Sequence, residues 1–279
     1  MITLQDIGFG YKRNHPVLES IQLALKPGNI YGLLGKNGEG KTTLLKIISG
    51  LIFPDQGTCR VWDEQPSDRK AVLLQHLFLL PEEITFPDVT VQDYIKMYAP
   101  FYPTFKDEIL QTCIESFEID IRARLDTLSQ GQKKKVAITL ALASDTPLLL
   151  MDEPTNGLDI PSKTIFRRLV SSFADEARIV VISTHQVRDL ESLIDAVVIL
   201  DDRHILLNNS LEEIADRLFF GRIDPPLKES GKILYTEPAP AGQMGVGVNQ
   251  TGEITPVSLE LLFHAAIGNK PQIKQIFAS

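Results

Sequence analysis

The chain has 279 residues, of which 43% are hydrophobic and 23% charged, and its net charge is −8 at pH 7. This length accommodates one large α/β domain, or a domain of about 200 residues with a smaller appendage. No apolar run reaches the ~18–20 residues of a membrane-spanning helix, and the first residues lack the pattern of a secretion signal. Two cysteines, Cys59 and Cys113, exclude a disulfide scaffold. We therefore expect a cytosolic protein, and its acidic balance predicts no nucleic-acid partner.

Apolar runs alternate with helical patterns along most of the chain. They predict, in chain order, strands Ile2–Phe9, Leu18–Leu25 and Ile30–Leu34, helix Thr42–Ser49, strand Leu148–Met151, helix Pro161–Ala174, and strands Arg178–Ser183 and Ala196–Leu200. Strands that alternate with helices favour a mostly parallel sheet. The segment Val91–Ala143 interrupts this order and is predicted to be mainly helical, as a subdomain beside the sheet.

The end of the chain has a different pattern. Ser210-Leu-Glu-Glu213 fits a capping box that opens a helix to about Phe219. Prolines separate the short strands predicted after it, at Pro225, Pro226, Pro238 and Pro240. Ser258–Ile267 is predicted as the final helix, closed by Gly268. These features indicate a small C-terminal extension.

A phosphate-binding loop is predicted where the strand Ile30–Leu34 ends. Gly35-Lys-Asn-Gly-Glu-Gly-Lys-Thr42 has the pattern G-x-x-x-x-G-K-[ST]. Glycines let backbone N–H groups turn inward around phosphate oxygens, and the N-terminus of the following helix adds partial positive charge. Lys41 is expected to reach the β- and γ-phosphates, and the Thr42 hydroxyl to bind Mg²⁺. The nucleotide-binding residues predicted here are Gly35, Lys36, Asn37, Gly38, Glu39, Gly40, Lys41, Thr42 and Thr43.

Two carboxylates end a second apolar strand, in Pro147-Leu-Leu-Leu-Met-Asp-Glu-Pro154. Asp152 at the C-terminal end of the strand fits the acidic element that holds Mg²⁺ in phosphoryl-transfer enzymes. Glu153 points differently because it is the next residue, and it is a candidate general base for an attacking water. A solvated strand end is the simple alternative, and the phosphate-binding loop favours the functional interpretation.

A third motif, Leu128-Ser-Gln-Gly-Gln132, precedes the predicted helix Lys133–Ala143. Together the three motifs resemble the ATP-binding cassette (ABC) ATPases, whose signature is usually Leu-Ser-Gly-Gly-Gln. Gln130 replaces one glycine, and we expect its φ to stay negative. The resemblance implies that Ser129, Gly131 and Gln132 bind the γ-phosphate of ATP held by a second subunit. A capped helix start is the simpler interpretation of the same residues.

The resemblance assigns three further residues in family order. Asp159, in Asn156-Gly-Leu-Asp159, matches the D-loop that crosses the dimer interface. His185 matches the histidine that contacts the γ-phosphate, so the catalytic residues implied are Glu153, His185 and Lys41. Tyr11 matches the aromatic residue that stacks on adenine.

The Gln loop is the point at which this chain departs from the family. Leu80-Pro-Glu-Glu83 occupies its place, so Glu82 is the candidate for the Gln position. A carboxylate can ligate Mg²⁺ through oxygen, and it adds negative charge beside the triphosphate. The predicted metal ligands are therefore Thr42, Asp152 and Glu82. Gln75, in an apolar run interpreted as a strand, is the alternative for the Gln position.

The resemblance covers about residues 1–215 and implies an α/β fold, that of the P-loop NTPases of ABC ATPase type. It comprises a mostly parallel sheet, an antiparallel β subdomain and a helical subdomain. We predict an ABC ATPase domain over residues 1–209, with the helical subdomain at about 89–143. A small C-terminal extension is predicted over 210–279.

The function implied is that of an ATP-hydrolysing subunit of a membrane transporter, with ATP and Mg²⁺ as its cofactors. The partners implied are an integral membrane permease and a second ATP-binding subunit, in a homodimer or a heterodimer. Such a subunit is peripheral on the cytoplasmic face of the inner membrane. The rival is a soluble ABC ATPase acting in DNA repair or translation. No sustained heptads and no second cassette occur in the sequence, which favours the transporter.

The direction of transport is indicated by one segment, Phe101-Tyr-Pro-Thr-Phe105, which resembles a segment of bacterial exporter subunits. Its aromatic residues, with Met97 and Tyr98, have two interpretations. They line a groove for a cytoplasmic helix of the permease, or they form the core of the helical subdomain. The resemblance therefore implies an exporter.

Overall fold

The computed structural model describes residues 1–223, 232–240 and 242–277. Its first sheet is antiparallel and contains β1 (Ile2–Phe9), β2 (Leu18–Leu25) and β4 (Gln56–Val61) in the order β2-β1-β4. Much of β2 alternates between buried and exposed side chains, as expected of a strand with one face against the core. The observed bounds of β1 and β2 are those that the sequence predicts.

The second sheet is mostly parallel and places the loops that carry the predicted motifs. Its strands are β3 (Asn29–Leu34), β5 (Leu77–Leu80), β6 (Leu148–Asp152), β7 (Ile179–Thr184), β8 (Ala196–Asp201) and β9 (His204–Ser210). The order is β5-β6-β7-β3-β8-β9, and β9 alone among them runs antiparallel to its neighbour. All residues of β6, β7 and β8 are buried, which explains their continuous apolar sequences. The predicted mostly parallel sheet is confirmed.

Helices cover both faces of this sheet. Those of the first 172 residues are α1 (Lys41–Ile48), α2 (Ala71–Leu74), α3 (Val91–Tyr98), α4 (Asp107–Phe117), α5 (Gln130–Ala143) and α6 (Ile160–Ser172). Side chains of Thr90, Ser129 and Asp159 cap the N-termini of α3, α5 and α6. One core cluster contains α1 and the antiparallel sheet, and the other contains α3 to α6. None of the helices in the described ranges has the length and hydropathy required to cross a bilayer.

The described residues after β9 form a third sheet and three helices. These elements are α7 (Leu211–Arg217), β10 (Leu218–Arg222), β11 (Ile233–Ala239), β12 (Gly242–Val248), α8 (Leu259–Gly268) and α9 (Lys270–Phe277). The strands pair antiparallel in the order β10-β12-β11. An ion pair of 2.6 Å joins Arg188 to Glu260, and Glu191 accepts a hydrogen bond of 3.0 Å from the Leu259 N–H. These contacts attach α8 to the loop that follows β7.

Several predicted elements differ from the structure. The helix that begins after Ser210 ends at Arg217, because Leu218–Arg222 pairs with β12 as a strand. The helix ending at Gly268 is followed by α9, so the prediction that it is the last helix is wrong. Gln75 is not in a strand: it ends the short helix α2, and β5 begins two residues later. Pro225 and Pro226, which are predicted to separate short strands, lie outside the described residues.

Candidate functional site

The predicted phosphate-binding loop connects β3 to α1 and lies at the carboxyl edge of the parallel sheet. Gly40 takes φ +101° immediately before α1, and a Cβ there would lie 2.9 Å from Leu18 Cδ2. Glycine is therefore required at this position both by the backbone conformation and by the close approach of β2. Lys36, Asn37 and Gly38 are exposed at the tip of the loop. Ligands of parallel α/β sheets bind at this edge.

Lys41 is folded back over its own loop. Its Nζ donates hydrogen bonds to the carbonyl oxygens of Gly35 (2.8 Å) and Lys36 (3.1 Å), and its side chain is 7% exposed. Burial lowers the pKa of Lys41, while the carboxylates of Glu153 and Asp152 oppose that shift. A cation that is already desolvated interacts more strongly with a phosphate than an exposed one.

Asp152 and Thr42 meet at the end of β6. The Thr42 hydroxyl donates to Asp152 Oδ2 at 2.7 Å, and the Ser183 hydroxyl of β7 donates to Asp152 Oδ1. Ser183 also accepts from the backbone N–H of Glu153 at 3.1 Å. Asp152 is 3% exposed, so its carboxylate is held in one orientation by groups from two other elements.

Glu153 has the most strained backbone of the predicted site residues, with φ +45°. Its side chain is 5% exposed, and Oε1 lies 2.8 Å from His185 Nδ1 and 3.8 Å from Lys41 Nζ. An ionised carboxylate only accepts hydrogen bonds, so Nδ1 of His185 carries the hydrogen in this contact. Oε2 is buried and has no hydrogen-bond partner among the described residues. This leaves one carboxylate oxygen available to a molecule that enters the site.

These groups surround a cavity of about 380 Å³. Its lining contains Tyr11, Val17, Asn37, Gly38, Gly40, Lys41, Thr42, Thr43, Glu82, Glu153 and His185. Tyr11 is 60% exposed at the rim, where its hydroxyl lies 3.2 Å from Thr43 Oγ1 and its ring packs edge-on against Phe9. The cavity therefore presents glycine-rich backbone, one cation and two carboxylates beneath an exposed aromatic ring.

Glu82 lies in the segment after β5 and reaches the same cavity. Its Oε1 accepts a hydrogen bond of 3.1 Å from Asn156 Nδ2, and its backbone oxygen accepts one of 2.7 Å from Lys134 Nζ. The alternative residue, Gln75, does not line this cavity. The geometry thus favours Glu82 for the Gln position over Gln75.

The signature residues do not line the cavity formed by the phosphate-binding loop of the same chain. Ser129 and Gln132 form a capping box at the start of α5, and both are exposed. Gly131 approaches the loop after β6 closely, since a Cβ there would lie 2.8 Å from the Gly157 carbonyl oxygen. Gln130 lies in the first turn of α5, where φ is negative, as expected.

Asp159 is exposed and lies two residues after Gly157, the residue that Gly131 of the signature approaches. Its carboxylate accepts a hydrogen bond of 2.8 Å from the Ser162 N–H and thereby caps α6. The hydrogen bonds from Ser162 lower the pKa of Asp159. The local role of this side chain is therefore helix capping.

The oxygen atoms at the end of β6 fit Mg²⁺. Thr42 and Asp152 supply a hydroxyl and a carboxylate within 2.7 Å of each other, and the next residue, Glu153, adds a buried Oε2 that no described residue hydrogen-bonds. Mg²⁺ is usually bound through one or two carboxylates together with substrate phosphates and water. Within the described residues no cluster of three or more His, Cys, Asp or Glu side chains has metal-binding geometry, so a cage made only of such side chains is not formed there.

Three residues with contacts to this site were not singled out by the motifs. Ser183 orients Asp152, Asn156 binds Glu82, and Lys134 binds the backbone carbonyl oxygens of Glu82 and Glu153. Ser183 and Asn156 lie within segments that the sequence marks, two residues before His185 and three before Asp159. Lys134 follows the signature in a run of three lysines, where composition alone suggests a solvated helix face.

Comparison with known proteins agrees with this geometry. Residues 18–156 match the family described as ABC transporter. The ABC transporter ATP-binding protein NatA of Bacillus subtilis (strain 168) is 29% identical over 224 residues, which are 77% of this chain and 91% of NatA. A structure from Pyrococcus furiosus, named as a putative ABC transporter (ATP-binding protein), is 30% identical with a TM-score of 0.61. The match covers 71% of this chain and 96% of that one.

A second similar structure is a dimeric ATP-binding cassette in a post-hydrolysis state, bound to ADP and Pi. It has a TM-score of 0.67 at 23% identity, over 76% of this chain and 99% of that one, so it supports the fold alone. The glycine-rich loop and carboxylates at the edge of a parallel sheet define a P-loop nucleotide-binding protein. The chain belongs to the ABC transporter family as an ATP-binding subunit of the cassette type.

Proposed function

We propose that this chain binds and hydrolyses ATP and powers an ABC membrane transporter, of the exporter type, through ATP-dependent dimerisation. The observation that supports hydrolysis most strongly is the buried Glu153. Its Oε1 is held by His185 and lies 3.8 Å from Lys41 Nζ, and its Oε2 has no hydrogen-bond partner among the described residues. A carboxylate that is oriented and only partly satisfied is suited to accept a proton from a bound water.

In this proposal each residue at the cavity has one task. Backbone N–H groups of the phosphate-binding loop and the ammonium of Lys41 bind the phosphates. Thr42 and Asp152, with Glu82 lining the same cavity, would hold Mg²⁺, which would supply positive charge to offset that on the transferred phosphoryl group. Glu153 orients and deprotonates the attacking water, and His185, whose Nδ1 is engaged, contacts the γ-phosphate through its other nitrogen.

Adenine recognition is assigned to Tyr11. Its ring is exposed at the rim of the cavity and fixed from below by Phe9 and Thr43. An aromatic ring held in this way stacks on a base without selecting for its hydrogen-bonding edge. Asn37, Gly38 and Thr43, which are also predicted nucleotide-binding residues, line the same cavity.

The signature residues act in a second subunit in this proposal. Ser129 and Gly131 begin the 14-residue helix α5 on the protein surface, outside the cavity of their own chain. The N-terminus of a helix attracts anions, and the γ-phosphate of ATP on a partner supplies one. Two ATP molecules would therefore join two chains, and hydrolysis would weaken the contact. A homodimer is sufficient, because one chain carries every motif.

A mixing experiment tests this shared site. Ser129→Asp keeps a side chain that caps α5 but places a carboxylate where the partner's γ-phosphate would bind. Alone, this variant and Lys41→Ala are expected to be nearly inactive. An equal mixture should recover activity toward about a quarter of wild type, because each mixed dimer has one intact site. ATPase assays of the mixture and of each variant alone check this, and a mixture as inactive as its components contradicts a shared site.

The partner proposed is an integral membrane permease, which this chain would contact as a peripheral subunit on the cytoplasmic face of the inner membrane. Met97, Tyr98 and Phe101, at the end of α3, are 51%, 37% and 65% exposed. Tyr102 and Phe105 pack against the core instead. Each of the two interpretations therefore applies to a part of this segment. Tyr102 and Phe105 belong to the core of the helical subdomain, whereas Met97, Tyr98 and Phe101 form an exposed apolar patch that suits a helix of the permease.

The partner is tested by affinity capture from gently solubilised membranes, with mass spectrometry of what is recovered. We expect a multi-spanning membrane protein in stoichiometric amount. Phe101→Asp should reduce its recovery at least severalfold, because a charge in an apolar contact is poorly tolerated. Ile254→Asp is the matched control, since Ile254 is 71% exposed in the C-terminal extension. Capture of ribosomes or nucleic acid instead would support the soluble ABC ATPase and overturn the transporter.

A further inference from the structure

Lys134 is a buried cation in the second turn of α5. Its residue is 6% exposed, and its Nζ donates a hydrogen bond of 2.7 Å to the Glu82 carbonyl oxygen. The same Nζ lies 3.5 Å from the Glu153 carbonyl oxygen. Lys134 has no ion pair within 4.0 Å in the described part of the chain. Helix α5, which follows the signature, thus places one positive charge against backbone carbonyl oxygens beside the nucleotide cavity.

A buried ammonium without an ion pair needs negative charge further away to be stable. Burial lowers the pKa of Lys134, and the carboxylates of Glu82, Asp152 and Glu153 oppose that shift in this order. Two of these residues, Glu82 and Glu153, also contact Lys134 directly through their backbone carbonyl oxygens. Among the three carboxylates, Glu82 is the one that the family resemblance does not predict, because a Gln side chain is expected at its position.

Glu82 and Glu153 are joined a second time through Asn156. Its side-chain Nδ2 donates to Glu82 Oε1 at 3.1 Å, and its backbone N–H donates to the Glu153 carbonyl oxygen at 3.2 Å. The segment after β5 and the segment after β6 are therefore joined by two residues, Asn156 and Lys134. Neither residue lines the nucleotide cavity, so both act through their neighbours.

We propose that Lys134 is a positioning residue that compensates the negative charge of Glu82 and fixes Glu82 and Glu153 relative to the first turns of α5. The inference rests on the proposed function, since it assigns these two carboxylates to the ATP site. It also explains how a carboxylate at the Gln position is tolerated beside a triphosphate. The cation lies on α5, the helix that Ser129 caps, so this contact connects the signature to the ATP site of the same chain.

The test is a double-mutant cycle with Lys134→Gln and Glu82→Gln in the full-length chain. Mg²⁺-dependent binding of trinitrophenyl-ATP is measured by fluorescence, and kcat and KM of ATP hydrolysis are measured in parallel. Lys134→Gln should raise the Kd of the Mg²⁺ complex about tenfold, because it leaves three carboxylates facing an anionic ligand. Adding Glu82→Gln to the same chain should recover most of this loss, and Lys134→Arg should retain near-wild-type affinity.

Lys133→Gln is the matched control, because it removes the same charge one residue earlier on the helix. It is expected to change Kd less than about twofold. Equal effects of Lys134→Gln in the wild-type chain and in the Glu82→Gln chain, or an equal effect of Lys133→Gln, would overturn the compensation of charge. The thermal unfolding midpoints of the four proteins of the cycle give the same comparison without nucleotide. Lys134→Gln should lower the midpoint by less in the Glu82→Gln chain than in the wild-type chain.

The two proposals can fail separately in this experiment. If wild type binds trinitrophenyl-ATP but does not hydrolyse ATP, the proposed catalytic function fails, while coupling in Kd and thermal midpoint still supports the role of Lys134. If wild type hydrolyses ATP and the two substitutions are additive in every measurement, the ATPase stands and the role of Lys134 is refuted.

Discussion

Replacing Glu153 by Gln is expected to lower the kcat of ATP hydrolysis by a factor of about 10²–10⁴, the usual contribution of a general base. Gln has nearly the same shape as Glu and can still accept a hydrogen bond from His185, but it does not take a proton from water. Phosphate contacts through Lys41 and the glycine-rich loop remain. The variant should therefore bind MgATP with an affinity close to wild type and accumulate as an ATP-bound dimer.

The measurements are steady-state ATPase rates and size-exclusion chromatography with light scattering, with and without MgATP. Glu176→Gln is a suitable control, because Glu176 is exposed in the turn before β7, at the opposite end of that strand from His185. Undiminished turnover of Glu153→Gln would remove this residue from catalysis. A slow variant that stays monomeric in MgATP would keep the catalytic role and contradict ATP-dependent dimerisation.

Replacing Lys41 by Ala is expected to weaken ATP binding by roughly 10- to 150-fold. Hydrogen bonds to a charged group contribute about 1.5–3 kcal/mol, and Lys41 is the cation that lines the cavity. The loss is large because Lys41 is already desolvated, so its interaction with phosphate is little reduced by solvent. Glu153 also loses the cation that lies 3.8 Å from its Oε1, which adds repulsion against an anionic ligand.

Isothermal titration with ATP and Mg²⁺ measures this effect directly. Lys96→Ala is the control, since Lys96 is exposed on α3 and changes the net charge by the same amount. Thermal unfolding of Lys41→Ala without nucleotide shows whether the chain keeps its fold. An unchanged Kd for ATP in a folded variant would refute the phosphate-binding role of Lys41.

The C-terminal extension contacts the loop that carries His185, which lines the cavity probed by both experiments. Glu260 of α8 is paired with Arg188, three residues after His185, and Glu191 binds the N-terminus of the same helix. Asp189, between them, accepts hydrogen bonds from Thr155 and Lys163. The loop that carries His185 is thus held from both sides, which keeps the imidazole in reach of Glu153 without a nucleotide.

Local features of this protein follow from the sequence by itself. The bounds of β1 and β2, the phosphate-binding loop between β3 and α1, the capped helix start at Ser129 and the capping box at Ser210 agree with the sequence analysis. Each depends on residues a few positions apart: hydrophobic periodicity, a glycine with positive φ, or a hydroxyl three residues before the N–H that it binds. The ABC family follows from such motifs because their order along the chain is specific.

Tertiary structure alone decided the relations between distant segments. The helix predicted after Ser210 extends to about Phe219, but Leu218–Arg222 is a strand, because β12 is available to pair with it. Lys134 belongs to a run of lysines that predicts an exposed face, yet it is buried, because α5 packs against the ends of β5 and β6. Its partner Glu82 lies 52 residues earlier in the chain. A contact over that separation depends on the packing of the whole domain, and no local pattern encodes it.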